Sequence, residues 1–217
     1  MASHNLKNKC NASGFKRSVK RFNDMRLLNF EQDILIALGS NLPGPHETSA
    51  EALRAALVAL CGEGLALRRL SRFYANPAIP KGSGPDFVNA VAALAAPGKG
   101  SPGDVLAALH SVEARLGRTR STRWAARVID LDLIAVGETL LPDAAVQADW
   151  RALSADAQRA ATPAELILPH PRMQDRAFVL GPLAEIAPGW RHPGTGARVE
   201  DMLAALPPEA LRDVAPI

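Results

Sequence analysis

Residues Val128–Val136 (VIDLDLIAV) constrain this chain more than any other segment. Ile129, Leu131 and Leu133 alternate with Asp130 and Asp132, the period-two pattern of a strand with one face on a core. The two carboxylates then share the opposite face, about 7 Å apart along the strand. Carboxylates so placed repel unless a cation sits between them. Hard oxygen donors on a rigid strand suit Mg²⁺, which takes one or two carboxylates together with phosphate oxygens and water. A solvated strand face that carries two acids has the same appearance, so the pair acquires meaning only from its neighbours.

The segments around it are short and alternate in type. Ile34–Leu38 is an apolar run stopped by Gly39, which reads as a buried strand. Residues 46–60 read as a helix, with Ala50, Leu53, Leu57 and Leu60 at helical spacing and Gly62 and Gly64 beyond its end. Leu65–Tyr74 is a second strand, Asn76–Pro85 a Pro- and Gly-rich loop, and Phe87–Ala95 a third strand. Ser101-Pro102, with Asp104 in the capping-box position, opens a second helix. Its core face is Val105, Leu109, Val112 and Leu116, and Gly117 closes it. Arg118–Arg127 is a polar loop that leads into the Asp-x-Asp strand. Pro142–Thr162 is Ala-rich, with a short helix capped by Ser154. Asp175–Ile186 and Val199–Leu206 are further helices. The order β-α-β-β-α-β predicts an α+β fold, the ferredoxin-like sandwich, with a mainly antiparallel sheet and its helices packed mainly on one face.

Charge is unevenly spread. Seven of the 25 bases but one of the 22 acids fall in residues 1–30, giving that tail a net +6 and the other 187 residues a net −3. The tail reads as a disordered or appended segment, and residues 31–217 as a single domain with an insertion at about 142–162. An acidic body argues against nucleic acid as the main partner, since phosphate neutralisation needs a basic surface. No run approaches the ~18 apolar residues of a membrane-spanning helix. Two cysteines, Cys10 in the tail and Cys61 at a helix end, make neither a disulfide framework nor a metal knuckle, which fits the reducing cytoplasm.

The Asp-x-Asp pair does have neighbours. Arg118, Arg120, Arg123 and Arg127 precede it within ten residues (RTRSTRWAARVIDLDL). Guanidinium forks grip phosphate oxygens in pairs, and a cation held by acids among arginines is what a polyphosphate needs. Trp124 offers a flat face for a heterocycle. His170, fixed between two prolines in LPHP, either bonds a phosphate or is a structural histidine in a rigid turn. Arg176 and Phe178 stand at a helix start, where anions are favoured. Asn89 interrupts an apolar strand and needs a partner, backbone or ligand, because unpaired burial costs about 1–3 kcal/mol. Gly39-Ser40-Asn41 is a turn, a helix cap or more, and Glu113 reads as an ordinary charge on the second helix.

ALGSNL at 37–42, SRFYANP at 71–77, FVNAV at 87–91, RWAARVIDLDL at 123–133 and LPHPRMQDRAFVLGPL at 168–183 occur in that order. Together, over roughly Ile34 to Leu206, they resemble the 6-hydroxymethyl-7,8-dihydropterin pyrophosphokinase family of folate biosynthesis. The resemblance implies transfer of the ATP diphosphate to the pterin's hydroxymethyl oxygen, with release of AMP. It implies that Asp130 and Asp132 hold two Mg²⁺ ions and that Arg118 and Arg127 are catalytic. Glu113, Arg120, Arg123, Trp124, His170 and Arg176 would contact ATP. Asn76, Pro77, Ala78, Ile79, Phe87, Asn89, Trp124 and Phe178 would line the pterin site. The partners implied are these two small molecules, without nucleic acid or membrane, and the protein would be a cytoplasmic monomer. Asn76–Pro85 and Gly117–Arg127 match loops that close over the substrates.

Some positions depart from the family pattern. Ala125-Ala126 stands where a Gly-Pro pair is common, and Asn76 and Phe87 where threonine and tyrosine are frequent. Pro142–Thr162 is longer than typical. Three competing readings are an inactive pterin- or nucleotide-binding protein, another Mg²⁺ enzyme using Asp-x-Asp, and a nucleic-acid binder driven by the tail.

Overall fold

The computed structural model describes residues 33–78, 81–82, 84–97, 101–117 and 127–217, so the basic tail expected over residues 1–30 lies outside the described residues. The elements are β1 (Ile34–Ser40), α1 (Ser49–Gly62), β2 (Ala66–Leu70), β3 (Tyr74–Asn76), β4 (Phe87–Ala95), α2 (Pro102–Arg115) and β5 (Asp130–Val136). They continue with α3 (Ala144–Ala152), α4 (Ala155–Ala160), α5 (Ala177–Ile186), α6 (Val199–Ala204), α7 (Pro208–Arg212) and β6 (Ala215–Pro216). Every pairing is antiparallel, and the sheet order is β5-β1-β4-β3-β6 with β2 also on β4. The two middle strands are thus β1 and β4, as a ferredoxin-like fold requires.

Both long helices begin with reciprocal caps. The Thr48 hydroxyl accepts from Glu51 N, and the Glu51 carboxylate accepts from Thr48 N; Ser101 and Asp104 repeat the arrangement. Each cap is worth about 1 kcal/mol. The first helix therefore starts at Ser49 rather than at residue 46, because Thr48 takes the extended backbone of a cap. The expected strand Leu65–Tyr74 is in two pieces. Ser71 breaks it by accepting Val91 N with its hydroxyl (3.0 Å) where a strand would use its backbone carbonyl.

Helices cover both faces of the sheet, not mainly one. Ile34, Ile36 and Leu38 of β1 meet Leu53 and Leu60 of α1 and Leu109 and Val112 of α2. Leu35 and Ala37 point the other way, onto Val179, Leu180 and Leu183 of α5, with Met173, Trp190 and Val199 beside them. This second layer is built by the C-terminal third of the chain. Full burial of each such Leu or Ile contributes about 1.5–3 kcal/mol. The helix expected over Asp175–Ile186 begins at Ala177, because residues Met173–Asp175 wind as a tighter 3₁₀ turn.

The Ala-rich stretch holds two helices where one was expected. α3 is capped by Asp143, whose side chain accepts Val146 N at 2.9 Å, and α4 by Ser154, as expected. A two-bond bridge closes the neck of this excursion: Leu141 N donates to Leu168 O (2.9 Å) and Leu168 N to Leu141 O (3.1 Å).

Candidate active site

The site begins with strand register. Asp130 of β5 lies opposite Gly39 of β1, Gly39 opposite Asn89 of β4, and Asn89 opposite Tyr74 of β3. One row across four strands therefore carries an aromatic, an amide, a gap and a carboxylate, all on the α5 side of the sheet. The gap is specific. A Cβ at Gly39 would lie 3.1 Å from Asn89 Oδ1 and 4.0 Å from Asp130 Cβ. Glycine leaves an open floor between the amide and the acids.

Asp130 and Asp132 share that face, as alternation predicts, while Ile129, Leu131 and Leu133 enter the core. Each carboxylate holds an arginine. Arg127 Nη1 donates to Asp130 Oδ2, and Arg176 Nη1 donates to Asp132 Oδ2 at 3.0 Å. The Asp130 and Asp132 side chains keep 23% and 36% of their surface open, so an incoming cation can reach them. Burial pushes the Asp132 carboxyl up, but the Arg176 guanidinium, with lesser help from His170 and Arg127, outweighs it and holds the group below the usual carboxylate range.

His170 is fixed by backbone on two sides. Its own N–H donates to Ile134 O (2.8 Å), and its Nδ1 accepts from Arg172 N (3.1 Å). The proton of the neutral ring is therefore on Nε2. Burial, and next the Arg176 charge, lower the imidazole to about 4, so the ring is a neutral donor near pH 7. His170 and Arg176 line a single cavity with Asp132.

The expected pterin side forms at the other end of the row. Asn89 Nδ2 donates to Asn76 Oδ1, and Asn76 Nδ2 donates to Pro77 O at 2.9 Å. Both asparagines are buried, and Asn76 pairs with Phe87 in the sheet. Ala78 is buried and Pro77 half-buried beside them. Phe178 packs against the α5 core with the Arg176 guanidinium 5.7 Å above its ring. Ile79, Arg118, Arg120, Arg123 and Trp124 lie outside the described residues.

Two residues have a different place from the one their sequence suggests. Glu113 is buried rather than an exposed charge, and its Oε1 accepts from Leu131 N at 2.8 Å. β5 is a sheet edge, so Leu131 N–H has no neighbouring strand there, and the α2 carboxylate satisfies it between the two aspartates. Asn41 caps no helix. Its Oδ1 accepts from Arg127 N (2.7 Å) and its Nδ2 donates to Pro85 O (3.3 Å), which ties the Pro-rich loop to the approach of β5.

Beside Asp132, a cavity of about 560 Å³ wraps the β5 edge. Asp132, His170 and Arg176 line it, with Arg172 and residues 163–167. Leu106 and His110 of α2, with Trp150 and Gln158 of the α3–α4 excursion, line it as well. None of these four stands out in the sequence. Leu106 and His110 lie on the helix face next to its core stripe, and the Ala-rich stretch has no periodicity to mark a wall.

Comparison with known proteins accords with this arrangement. The family model described as 7,8-dihydro-6-hydroxymethylpterin-pyrophosphokinase (HPPK) matches residues 35–188. The chain is 39% identical to the 2-amino-4-hydroxy-6-hydroxymethyldihydropteridine pyrophosphokinase of Pseudomonas aeruginosa, over 83% of this chain and 95% of that one. It is 32% identical to the protein of the same name from Synechocystis, covering 84% and 80%. Among solved structures, wild-type Plasmodium falciparum HPPK-DHPS with SDX-DHP superposes with a TM-score of 0.55 at 12% identity, over 83% of this chain. The present chain spans 46% of that larger one, and the likeness there is one of fold. With the family match running from β1 through α5, this chain belongs to the 7,8-dihydro-6-hydroxymethylpterin-pyrophosphokinase family.

Proposed function

We infer that the chain transfers the diphosphate of ATP to the hydroxymethyl oxygen of 6-hydroxymethyl-7,8-dihydropterin and releases AMP, a step of folate biosynthesis. The observation that carries this reading is the row Asn89–Gly39–Asp130, which sets a buried amide beside two aspartates on one sheet face. An amide with both donors and an acceptor suits the edge of a pterin ring. The acids suit a polyphosphate bound with a cation.

Asp130 and Asp132 fit Mg²⁺. They offer hard oxygens on one face, and two carboxylates leave the remaining coordination positions to phosphate and water. Two ions held there, when bound, would draw charge from the phosphate oxygens around the β-phosphorus. Arg127 and Arg176 neutralise the aspartates as the structure stands, and on arrival of the nucleotide they are in place to turn to phosphate oxygens. Arg118, Arg120 and Arg123 would add phosphate contacts, and Trp124 and Ile79 would close on the substrates. The His170 Nε2–H donates to a phosphate oxygen without adding charge. Glu113 holds the β5 backbone between the aspartates, a role compatible with a nucleotide contact.

In the reaction the hydroxymethyl oxygen forms a bond to the β-phosphorus and its O–H bond breaks, the proton passing to water. The bond from that phosphorus to the α–β bridging oxygen breaks, and the oxygen leaves on AMP. Asn89, Asn76, Phe87, Pro77, Ala78 and Phe178 hold the pterin so that attack is in line. Such positioning with charge neutralisation supplies most of what phosphoryl-type transfer needs, and the reading invokes no dedicated general base. The protein acts as a cytoplasmic monomer on two small molecules. Among the described residues no helix is long and apolar enough to cross a membrane.

The test is a product assay with ATP, Mg²⁺ and the hydroxymethyl dihydropterin that separates AMP from ADP. AMP formed in step with a pterin diphosphate is the expected result. ADP formation, or no turnover with saturable pterin binding, would overturn it.

A further inference from the structure

The α3–α4 excursion is joined to the fold by the Leu141–Leu168 neck, yet it packs back onto the site rather than into solvent. Its anchor is Gln147, which is fully buried. Gln147 Nε2 donates to Pro169 O (3.2 Å), the residue before His170, and lies 3.4 Å from the buried His192 ring. Arg151 Nη1 donates to Gln147 Oε1 at 3.1 Å. A buried amide with these partners is an expensive thing to leave half-satisfied, so α3 has one seat. Trp150 lies three residues further on, on the same side of the helix. Gln158 Nε2 of α4 donates to Trp150 O (2.8 Å) and braces that turn from the other helix.

Trp150 is also the single aromatic residue in residues 142–167, half-buried, and it lines the 560 Å³ cavity. The lining mixes charged groups, Asp132, Arg176, Arg172 and Glu165, with carbon surface that includes Leu106, Leu166 and Trp150. A nucleotide whose phosphates meet Asp132, His170 and Arg176 leaves its base to meet that carbon surface.

We propose that the α3–α4 excursion is the outer wall of the nucleotide cavity and that Trp150 stacks on the base of ATP, so that this chain's insertion sets nucleotide affinity. The proposal rests on the diphosphate-transfer reading for the identity of the ligand. Trp150 is a binding residue, remote from the reacting phosphorus. The braced helix presents the indole in advance, so little freedom is lost when the base arrives.

Trp150→Ala should raise the KM for ATP and the Kd for α,β-methylene-ATP about tenfold, the effect of one lost base–aromatic stack. The kcat and the pterin KM should stay within about twofold, and Trp150→Phe should recover most of the affinity. A second readout avoids dependence on the folding of the alanine variant. In protein labelled with 5-fluorotryptophan, the ¹⁹F resonance missing from Trp150→Phe should shift on titration with α,β-methylene-ATP and Mg²⁺ but not with pterin alone. Unchanged analogue affinity in a folded Trp150→Ala, or a Trp150 resonance indifferent to the nucleotide, would overturn the proposal. If wild-type protein forms no AMP yet binds the analogue through Trp150, the reaction is misread and the wall stands. If the wild type does not bind the analogue at all, both fall.

Discussion

Gly39→Ala tests the floor of the site with one methyl group. Gly39 has an ordinary backbone conformation, so alanine enters without φ strain. Removing glycine's freedom from the unfolded chain then stabilises the fold by about 0.4–1 kcal/mol. The methyl, however, arrives 3.1 Å from Asn89 Oδ1 and 4.0 Å from Asp130 Cβ. Asn89 cannot swing far, because its amide nitrogen is held by Asn76 and it is buried between strands. The amide must shift by a few tenths of an ångström, and a pterin edge bonded to it loses alignment. A buried hydrogen bond spoiled in this way costs about 1–3 kcal/mol, or roughly five- to 150-fold in affinity. The crowding of Asn89 offsets the gain from glycine, so the variant should melt close to wild type while its pterin KM rises about tenfold or more and its ATP KM holds. Thermal unfolding and the AMP-forming assay, with each substrate varied in turn, read both quantities. An unchanged pterin KM in a normally stable variant would refute the placement of the pterin over the Asn89–Gly39 row. A selective rise in ATP KM would put the nucleotide there instead.

Three further expectations concern the surroundings of that floor. Asp132→Ala should lower kcat at least about a hundredfold with the fold intact by circular dichroism, since the strand keeps its core face; near-normal turnover would remove the metal assignment. Asn41→Ala leaves Arg127 N–H without its side-chain acceptor and unties Pro85, so stability to urea should fall by about 1–3 kcal/mol and kcat with it; loss of stability alone would limit Asn41 to the fold. Burial, and then the Arg151 charge, lower His192 from 6.5 to about 4, so the unfolded chain takes up a proton before the folded one does. The stability this gives is complete above about pH 6.5. It is lost at roughly 1 kcal/mol per pH unit on acidification towards 4, and His192→Asn should make the Tm profile shallower over that window, leaving the share of His170, which is lowered to about 4 as well.

The sequence made the Asp-x-Asp strand plain because alternation is a local signal, and Ile129, Leu131 and Leu133 do enter the core. The second helical layer was less plain. It is foreshadowed in Ile34–Leu38, where five apolar residues run without a polar break, as strands covered on both faces do. The burial of Glu113 and of Gln147 was not legible, for the same physical reason. Each is a polar side chain whose burial is repaid by distant backbone, Leu131 N in one case and Pro169 O in the other, and periodicity counts such residues as surface. Asn41 was visible as part of a turn, but its partners at Arg127 and Pro85 are brought to it only by the sheet.

The Leu141–Leu168 neck makes part of this molecule exchangeable. Two backbone bonds close the excursion at its root, and shortening or lengthening a loop beyond such a closure changes its entropy by only about 0.6 kcal/mol per doubling. The exposed turns between the neck positions can therefore be shortened or lengthened while the strands stay in register, provided Gln147 keeps its buried seat. The floor under the pterin has no such freedom, being woven from four strands at once. The rim on the cavity side thus tolerates insertion and deletion that the four-strand floor does not.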